Sequence, residues 1–530
     1  MTNCNVCNNE AKQKCSGCSQ VFYCSKDCQV SDWKRGHKNS CKPYEVKRND
    51  KLGRYMTASR DLKAGEVLFR EFAVVHGPKM LSHPICLGCH KTLIAKAPKM
   101  KFYRCSQCSW PLCSKACETL DPHIEECKLM TSKNYKCAIK SNCTTIHSDA
   151  IYCLIFPLRF LLLKRNQPKI FEKILLELES HVDTRIASGS YETLRLHLVP
   201  FVQKLLGEKD FPERLVLPAA AILDNNCFEI SMPLRGVEMG GLFLQSLILC
   251  HDCVPNTKHY VNYLDSDIDI QHYQMTFQTT VPVRKGEQLT TTYTNTLKTT
   301  LERRRHLKQT KIFECDCKRC QDPSEFLTYG SSWNCQKCFG RVVAKNPLNN
   351  FSDWQCENCK LHYSREEITS KLNCLQSQLN SFVRKNPNQL EEFLAEHSKC
   401  IHSDHLTMVE IKYMLCLMYG NVGGYHYKDL SESLLHRKIE LCKNLIKVYN
   451  EIDPGEANQR TNVMFELNCA LIVDTKAKFN CNSIERKKAV DIIDDCLKII
   501  KTCYNILIKE TENKGIMDNR LEKIINESFL

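Results

Sequence analysis

The sequence predicts a multidomain α+β protein, in which small metal-bound modules accompany a β-rich domain and an all-α C-terminal region. Three observations lead to this fold class. The chain has 530 residues, more than one hydrophobic core normally supports. It contains 35 cysteines, many of them in closely spaced pairs. Its composition, with 43% hydrophobic and 25% charged residues, is typical of a folded protein and excludes wholesale disorder.

The cysteine content first raises the question of disulfides, which are dense in small secreted proteins. The first residues of this chain show no signal-peptide character. The longest apolar run, at 150–163, is interrupted by Pro157 and Arg159 and is too short to span a bilayer. We therefore expect a reducing compartment, no membrane association, and thiolates that bind metal ions.

The cysteines fall into clusters with the spacing of zinc ligands. Zinc prefers four cysteine or histidine ligands, and repeated C-x2-C pairs predict it better than disulfides or chance pairing do. The N-terminal cluster has eight ligands, Cys4, Cys7, Cys15, Cys18, Cys24, Cys28, His37 and Cys41. A second cluster repeats this scheme with Cys86, Cys89, Cys105, Cys108, Cys113, Cys117, His123 and Cys127. A third has Cys315, Cys317 and Cys320 and needs another ligand, and a four-cysteine ribbon has Cys335, Cys338, Cys356 and Cys359.

The rest of the chain alternates between β-type and helical patterns. Residues 47–75 predict two short strands joined by a tight turn at Lys63-Ala64-Gly65, a β-hairpin signal. Residues 150–220 have apolar residues at helical spacing, and residues 222–294 return to a β-like pattern. Residues 366–530 contain long amphipathic runs, such as Leu430–Ile452 and Ala457–Phe479, and predict about six to eight antiparallel helices.

Both eight-ligand clusters resemble MYND fingers in ligand order, the first also through its stretches 22–29 (FYCSKDCQ) and 32–38 (DWKRGHK). The resemblance implies interleaved coordination. One ion of the first finger would be bound by Cys4, Cys7, Cys24 and Cys28, and the other by Cys15, Cys18, His37 and Cys41. The second finger would use Cys86, Cys89, Cys113 and Cys117, and then Cys105, Cys108, His123 and Cys127. Metal binding would supply most of the folding free energy of such small modules.

The segments around the second finger resemble a SET domain split by a MYND finger, as in the SET and MYND domain-containing (SMYD) family of protein-lysine methyltransferases. The resemblance rests on Gly53-Arg54, Asn226, the stretch 250–256 (CHDCVPN), Tyr293 and the stretch 313–320 (FECDCKRC). The extra N-terminal finger is similar to the divergent arthropod branch of the family. The implied domains are a MYND finger (1–43), the N-terminal part of SET (44–85), an inserted MYND finger (86–127), a helical insertion (128–221), the C-terminal part of SET (222–298), a post-SET zinc site with the ribbon (299–365) and a TPR-like helical domain (366–530).

The family resemblance also implies roles for single residues. The contacts to S-adenosylmethionine would be Gly53, Arg54, Tyr55, Asn226, Cys250, His251, Tyr293 and Phe313. Tyr293 would be the catalytic residue and would orient the substrate amine through its hydroxyl. Tyr55 stands where the family usually has a glycine, and Cys250 where it has a cofactor-binding asparagine, whose amide a thiol cannot copy. Asp252 replaces a serine, and Cys253 fits the missing fourth ligand of the third cluster.

We therefore expect an S-adenosylmethionine-dependent protein-lysine N-methyltransferase that binds about six zinc ions. Its substrate would be a lysine of a histone or another protein, and its fingers and helical tail would bind protein partners. We expect a monomer in the cytoplasm and nucleus, where a role in transcriptional regulation would fit. The alternative is a catalytically impaired adaptor or repressor. The formal charge of +14 suggests an acidic partner, but zinc-bound thiolates would offset most of it, so we do not expect direct nucleic-acid binding.

Overall fold

The computed structural model of the protein describes residues 3–15, 21–38, 41–79, 84–93, 103–121, 123–137, 150–232, 237–264, 272–381, 386–510 and 514–528. Strands and helices are both abundant in these ranges, which confirms the predicted α+β class. The chain divides into two compact units. The first consists of Met1–Leu68, Leu249–Lys258 and Phe277–Leu530, and the second of Phe69–Ile248 and His259–Thr276. None of the helices in the described ranges is both long and apolar enough to cross a membrane.

The strands of the described residues are short and belong to several small sheets. In chain order they are β1 (Gln13–Lys14), β2 (Phe22–Tyr23), β3 (Tyr44–Asn49), β4 (Gly53–Ala58), β5 (Val67–Phe72), β6 (Val75–Pro78), β7 (Tyr103–Arg104), β8 (Pro111–Leu112), β9 (Phe228–Met232), β10 (Val237–Leu242), β11 (Cys250–His251), β12 (Thr257–Leu264), β13 (His272–Thr279), β14 (Gln288–Thr291), β15 (Trp333–Asn334), β16 (Arg341–Ala344), β17 (Trp354–Cys356) and β18 (His362–Tyr363). The strand orders are β1-β2, β6-β10-β9, β11-β14-β4-β3, β12-β13-β5, β15-β16-β17-β18 and β7-β8.

The α-helices of the described residues lie mainly in the middle and at the end of the chain. Their bounds are Lys26–Asp32, His123–Ser132, Ile155–Asn166, Pro168–Glu177, Val182–Ala187, Glu192–Leu206, Glu213–Asn226, Thr300–Thr310, Lys318–Gln321, Arg365–Ser381, Pro387–His397, Leu406–Met418, Glu432–Ile452, Asn458–Asn480, Arg486–Leu507 and Lys514–Ser528. Short 3-10 turns span Lys115–Thr119, Ala150–Leu154, Ser246–Ile248 and Tyr427–Asp429, and Trp33–His37 forms a π turn.

The sheet β11-β14-β4-β3 organises the SET segments of the first unit. Its outer strand β11 runs parallel to β14, with Cys250 opposite Thr290, and β4 is antiparallel to both β14 and β3. The β-hairpin predicted for residues 47–75 is wrong in its pairing, because β4 and β5 belong to different sheets. The predicted turn is present, and Gly65 adopts φ +75°, but its N–H donates to the carbonyl of Thr279 rather than within a hairpin.

The second unit contains the helices that the spacing in residues 150–220 predicts. The helix Glu213–Asn226 extends into the range predicted to be β-like, so residues 222–226 are helical. The helix Ile155–Asn166 packs closely on the sheet β6-β10-β9. A Cβ atom at Gly77 would lie 2.8 Å from Cβ of Phe156, so glycine permits this approach.

The tail of the described chain contains seven helices from Arg365 onward, in agreement with the expected all-α region. The two runs singled out in the sequence correspond to Glu432–Ile452 and Asn458–Asn480. Ser431 caps the former by accepting from the N–H of Leu434, which explains why the helix begins there and not at residue 430. The apolar stripe of this helix is buried, as its spacing predicts.

Candidate functional site

The N-terminal finger brings most of its predicted ligands together. The sulfur atoms of Cys4, Cys7, Cys24 and Cys28 all lie within 4.8 Å of one another. Ser25 caps the following helix by accepting from the Cys28 N–H (3.2 Å), which fixes the second cysteine pair one turn apart. Of the other set, Cys15 Sγ lies 3.5 Å from Cys41 Sγ and 3.3 Å from His37 Nε2. Cys18 lies outside the described residues.

The inserted finger brings both of its predicted sets together. They are Cys86, Cys89, Cys113 and Cys117, and Cys105, Cys108, His123 and Cys127. The ring of His123 has Nε2 3.7 Å from Cys108 Sγ and Nδ1 3.3 Å from Glu126 Oε1. Burial alone would raise the pKa of Glu126, but Arg159 lowers it through an ion pair of 2.7 Å. The resulting carboxylate orients the imidazole for metal binding.

The third cluster contains Cys253 as well as Cys315, Cys317 and Cys320. Cys253 Sγ lies 3.9 Å from Cys315 Sγ and 3.5 Å from Cys320 Sγ. Sulfur atoms at the corners of a zinc tetrahedron with bonds of about 2.3 Å are about 3.8 Å apart. The four thiols therefore have the spacing and the chemistry that zinc requires.

The ribbon cysteines meet in the sheet β15-β16-β17-β18. Cys335 Sγ lies 3.5 Å from Cys359 Sγ, and Cys338 Sγ lies 3.5 Å from Cys356 Sγ. The hydroxyl of Tyr363 donates to Cys335 Sγ at 3.3 Å, and such a bond stabilises a thiolate. These four residues also fit one zinc ion by donor type and spacing.

A small aromatic cluster lies beside the third cysteine set. The Tyr293 N–H donates to His251 Nδ1 (3.0 Å), and the Tyr293 hydroxyl donates to the carbonyl of Leu249 (2.6 Å). Because Nδ1 accepts, the neutral ring carries its proton on Nε2, which lies 3.3 Å from Cys253 Sγ. Phe313 completes the cluster, with its ring centroid 5.9 Å from that of His251 and 6.4 Å from that of Tyr293.

Burial sets the protonation of this cluster. It lowers the pKa of His251 to about 4 and raises the pKa of Tyr293. It also raises the pKa of Asp252 to about 6 and the pKa of the Cys250 thiol above its ordinary value. At neutral pH the imidazole, the phenol and the thiol are therefore uncharged. The Asp252 carboxyl is mostly ionised, and the Lys311 ammonium lies 5.9 Å from the centroid of the Tyr293 ring.

The remaining predicted residues of the first unit lie on β4 and β11. Cys250 Sγ donates to the carbonyl of Arg54 at 3.7 Å. Gly53 begins β4 with φ +65°, a conformation that favours glycine. Tyr55 is half-buried on the same strand, opposite Lys47 of β3. The structure thus brings Cys250 to the Gly53–Tyr55 segment, where the resemblance placed the cofactor.

Asn226, the last predicted contact, belongs to the second unit and ends the helix Glu213–Asn226. Its Nδ2 donates to the carbonyl of Ile222 (2.9 Å) and to that of Glu179 (3.0 Å). Both amide hydrogens are used within the protein, so only the side-chain oxygen remains for a ligand.

Sequence reasoning missed three residues around the third cluster. Arg303, Arg319 and Glu325 are each at most 1% exposed and form an ion-pair network, with Glu325 Oε2 2.8 Å from Arg303 Nη1 and 2.9 Å from Arg319 Nε. In the sequence, charged residues near metal ligands are typical of an exposed linker. The signal that could have found Arg319 is its position next to Cys320, because residues outside the ligand set often orient metal ligands through hydrogen bonds.

Comparison with known proteins identifies two kinds of domain in the chain. The model of the MYND finger matches residues 4–41, and the model of the SET domain matches residues 53–294, a range that includes the inserted finger. SET domain-containing protein SmydA-8, isoform A, of Drosophila melanogaster is 28% identical over 345 residues, covering 62% of this chain and 68% of that protein. Histone-lysine N-methyltransferase SMYD3 of Homo sapiens is 27% identical over 288 residues, covering 51% of this chain and 60% of that protein.

A different kind of relative shares only a short segment. Ubiquitin carboxyl-terminal hydrolase 19 of Arabidopsis thaliana is 54% identical over 41 residues, which are 8% of this chain and 6% of that protein. A match of this length carries no information on the remaining segments. The matches to SmydA-8 and SMYD3, by contrast, extend over 345 and 288 residues. The chain therefore contains a MYND finger and a SET domain and is similar to SMYD proteins, one of them from an arthropod.

Proposed function

We propose that this chain is an S-adenosylmethionine-dependent protein-lysine N-methyltransferase that acts on a histone or another protein. Its similarity to SMYD proteins supports the reaction class. The observation that carries the proposal is the placement of Tyr293, whose backbone N–H is held by His251 and whose hydroxyl is held by the carbonyl of Leu249. These two bonds fix a phenol beside the rings of His251 and Phe313.

The hydroxyl of Tyr293 has the properties that orientation of an amine requires. Burial raises its pKa, so it stays protonated, and its proton is donated to the carbonyl of Leu249. Its oxygen lone pairs remain to accept a hydrogen bond from a substrate N–H. Such a bond would turn the nitrogen lone pair toward the methyl donor, and positioning of this kind provides much of the rate enhancement of a two-substrate reaction.

Bound S-adenosylmethionine would supply a methyl group carried on a sulfonium. A substrate lysine has an ordinary pKa of about 10.4 and has to lose a proton before it can attack. Burial at Tyr293 and the positive charge of Lys311 over its ring both favour the neutral amine over the ammonium. The rings of His251, Tyr293 and Phe313 offer faces and edges suited to a cation and to a flat base.

The cysteine clusters of the chain are zinc-binding modules by donor type and spacing, and we propose about six ions per chain. They would have structural roles, since each set consists of four protein ligands and leaves no open position. The two fingers and the helical tail would provide docking surfaces for protein partners.

A catalytically impaired adaptor is the second candidate, and Cys250 favours it. Its thiol donates weakly to the carbonyl of Arg54 and cannot replace an asparagine amide. Because burial raises its pKa, it does not provide a thiolate acceptor either. The amide hydrogens of Asn226 are also occupied, so two expected polar contacts to the cofactor are weakened.

Isothermal titration with S-adenosylmethionine separates the two candidates. A methyltransferase should bind the cofactor as wild type, and Cys250→Asn should bind it more tightly. Turnover on histones or on whole-lysate protein should fall at least about 100-fold in Tyr293→Phe, because orientation is lost while the ring stays. Binding by Cys250→Asn but not by wild type would establish the adaptor, and unchanged turnover in Tyr293→Phe would refute the role of that hydroxyl.

A further inference from the structure

The third cysteine cluster lies next to two buried cations. The guanidinium of Arg303 has Nη2 3.7 Å from Cys320 Sγ, and that of Arg319 donates from Nη1 to the carbonyl of Cys253 at 3.2 Å. Both arginine side chains are 0% exposed. A buried guanidinium costs free energy unless opposite charge and hydrogen-bond acceptors surround it.

Glu325 provides only one negative charge for these two cations. It is 1% exposed, and although burial would raise its pKa, Arg303 and Arg319 lower it to about 2. Counted over Arg303, Arg319 and Glu325 alone, the buried group would carry one net positive charge with four neutral thiols. The charges of Asp252 and Asp453 also act on Arg319. A Zn²⁺ ion with four thiolates carries two negative charges and would leave one net negative charge instead. The zinc-bound thiolates would also provide both guanidiniums with a negatively charged neighbour.

We propose that Arg303 and Arg319 are positioning residues of the third metal centre, which hold its ligands in place and compensate the charge of its thiolates. Binding of zinc and burial of the arginines would then support each other, since linkage is reciprocal. Glu325 has the opposite role toward the metal, because it partly neutralises the same guanidiniums.

The hydrogen bonds of these arginines extend from the metal ligands to the segment that follows Tyr293. Arg319 Nη1 donates to the carbonyl of Thr296 (2.7 Å), and Arg303 Nη1 donates to the carbonyl of Lys298 (2.5 Å). Each guanidinium therefore links a ligand residue to the backbone of residues 296–298. Such partners outside the ligand set typically change metal affinity about 10- to 100-fold.

Release of zinc from the full-length protein tests the proposal without relying on methyl transfer. The metal would be followed with a colorimetric chelator, and Cys253→Ser would identify the ion of this centre by its absence. Arg319→Gln and Arg303→Gln should each release one zinc ion about 10- to 100-fold faster than wild type. Arg437→Gln, which breaks an arginine–glutamate pair on tail helices, is the matched control and should behave as wild type.

Glu325→Gln distinguishes charge compensation from simple packing. This variant keeps the shape of the network but removes the carboxylate that partly neutralises Arg303 and Arg319. The two guanidiniums then compensate the thiolate charge more strongly, so zinc release should not be faster than in wild type. Acceleration equal to that of Arg319→Gln would overturn the proposal, because the network would then act only through packing. Wild-type release from both arginine variants, with unchanged circular dichroism, would overturn it as well. Cofactor titration is separate, so failure here would leave the proposed activity untouched.

Discussion

The four-cysteine ribbon offers a direct test of how zinc and the helical tail depend on each other. Its strands share one hydrophobic cluster with the tail helices, in which Trp354 and Tyr363 of the ribbon pack with Ile368, Phe393 and Met408 of the helices. The ribbon and tail are also joined by backbone bonds. We therefore expect Cys338→Ser to remove one zinc ion per chain and to destabilise the tail together with the ribbon.

The size of this effect follows from two comparisons. Zinc binding contributes about 10–16 kcal/mol in isolated zinc-finger peptides, whereas a whole domain is stable by about 5–15 kcal/mol. Loss of even part of the metal contribution is therefore large enough to unfold the shared core. Cys338 itself is exposed, so exchange of its sulfur for oxygen changes little packing.

Metal analysis and far-ultraviolet circular dichroism measure the outcome. Cys338→Ser should lose one zinc ion and a clear part of the helical signal at 222 nm, with an earlier thermal transition. Cys374→Ser is the matched control, because Cys374 is also exposed but lies on a tail helix outside the cysteine clusters. If Cys338→Ser loses its zinc ion and still keeps the helical signal and transition of Cys374→Ser, the tail folds independently and the reasoning is wrong.

Three further substitutions probe the first unit. Burial raises the pKa of Asp453 to about 6 from an ordinary 3.8, so its ionisation disfavours the folded state. Denaturant titrations of Asp453→Asn should therefore give a free energy of unfolding up to about 3 kcal/mol above that of wild type at pH values above 6, and an equal one below pH 4. Lys438 forms a buried ion pair with Glu466, which also pairs with Arg520; Glu466→Leu leaves the buried Lys438 unpaired and should cost about 3–5 kcal/mol in chemical unfolding, whereas Lys438→Met should cost less, because Glu466 keeps Arg520. Gly455 has φ +72°, and a Cβ atom there would lie 1.9 Å from the carbonyl oxygen of Thr280; Gly455→Ala should therefore lower the thermal midpoint, and an unchanged midpoint would contradict this contact.

Features with a local signature could be predicted from the sequence, and those made by distant residues could not. Paired cysteines and amphipathic runs are local, so the ligand sets and the long tail helices were predictable with small boundary errors. The pairing of β4 with β14 was not, because Thr57 and its partner Gln288 are more than two hundred residues apart and no local turn joins the two strands.

The network of Arg303, Arg319 and Glu325 shows a second limit of sequence reasoning. A charged side chain is usually solvated, so no composition rule predicts that these three are buried. Their burial depends on the third cysteine set, in which Cys253 and Cys315 are 62 positions apart. Only the folded chain shows that the charges of the arginines and of the thiolates are neighbours.

The fold of the SET segment and binding of the cofactor are separable in this chain, because the contacts of His251 that hold Tyr293 and Cys253 do not involve Cys250. One side of the ring accepts from the Tyr293 N–H, and the other faces the sulfur of Cys253. His251 thus connects Cys253 to Tyr293 although Cys250 stands at the position of the family asparagine. The local structure of the SET segment therefore does not require that asparagine. The side chain of Cys250 takes no part in these contacts and instead interacts with the carbonyl of Arg54 and with Gln288. An exchange there can weaken the cofactor contact and leave the fold intact, which is why binding of S-adenosylmethionine by wild type and by Cys250→Asn distinguishes an enzyme from an adaptor.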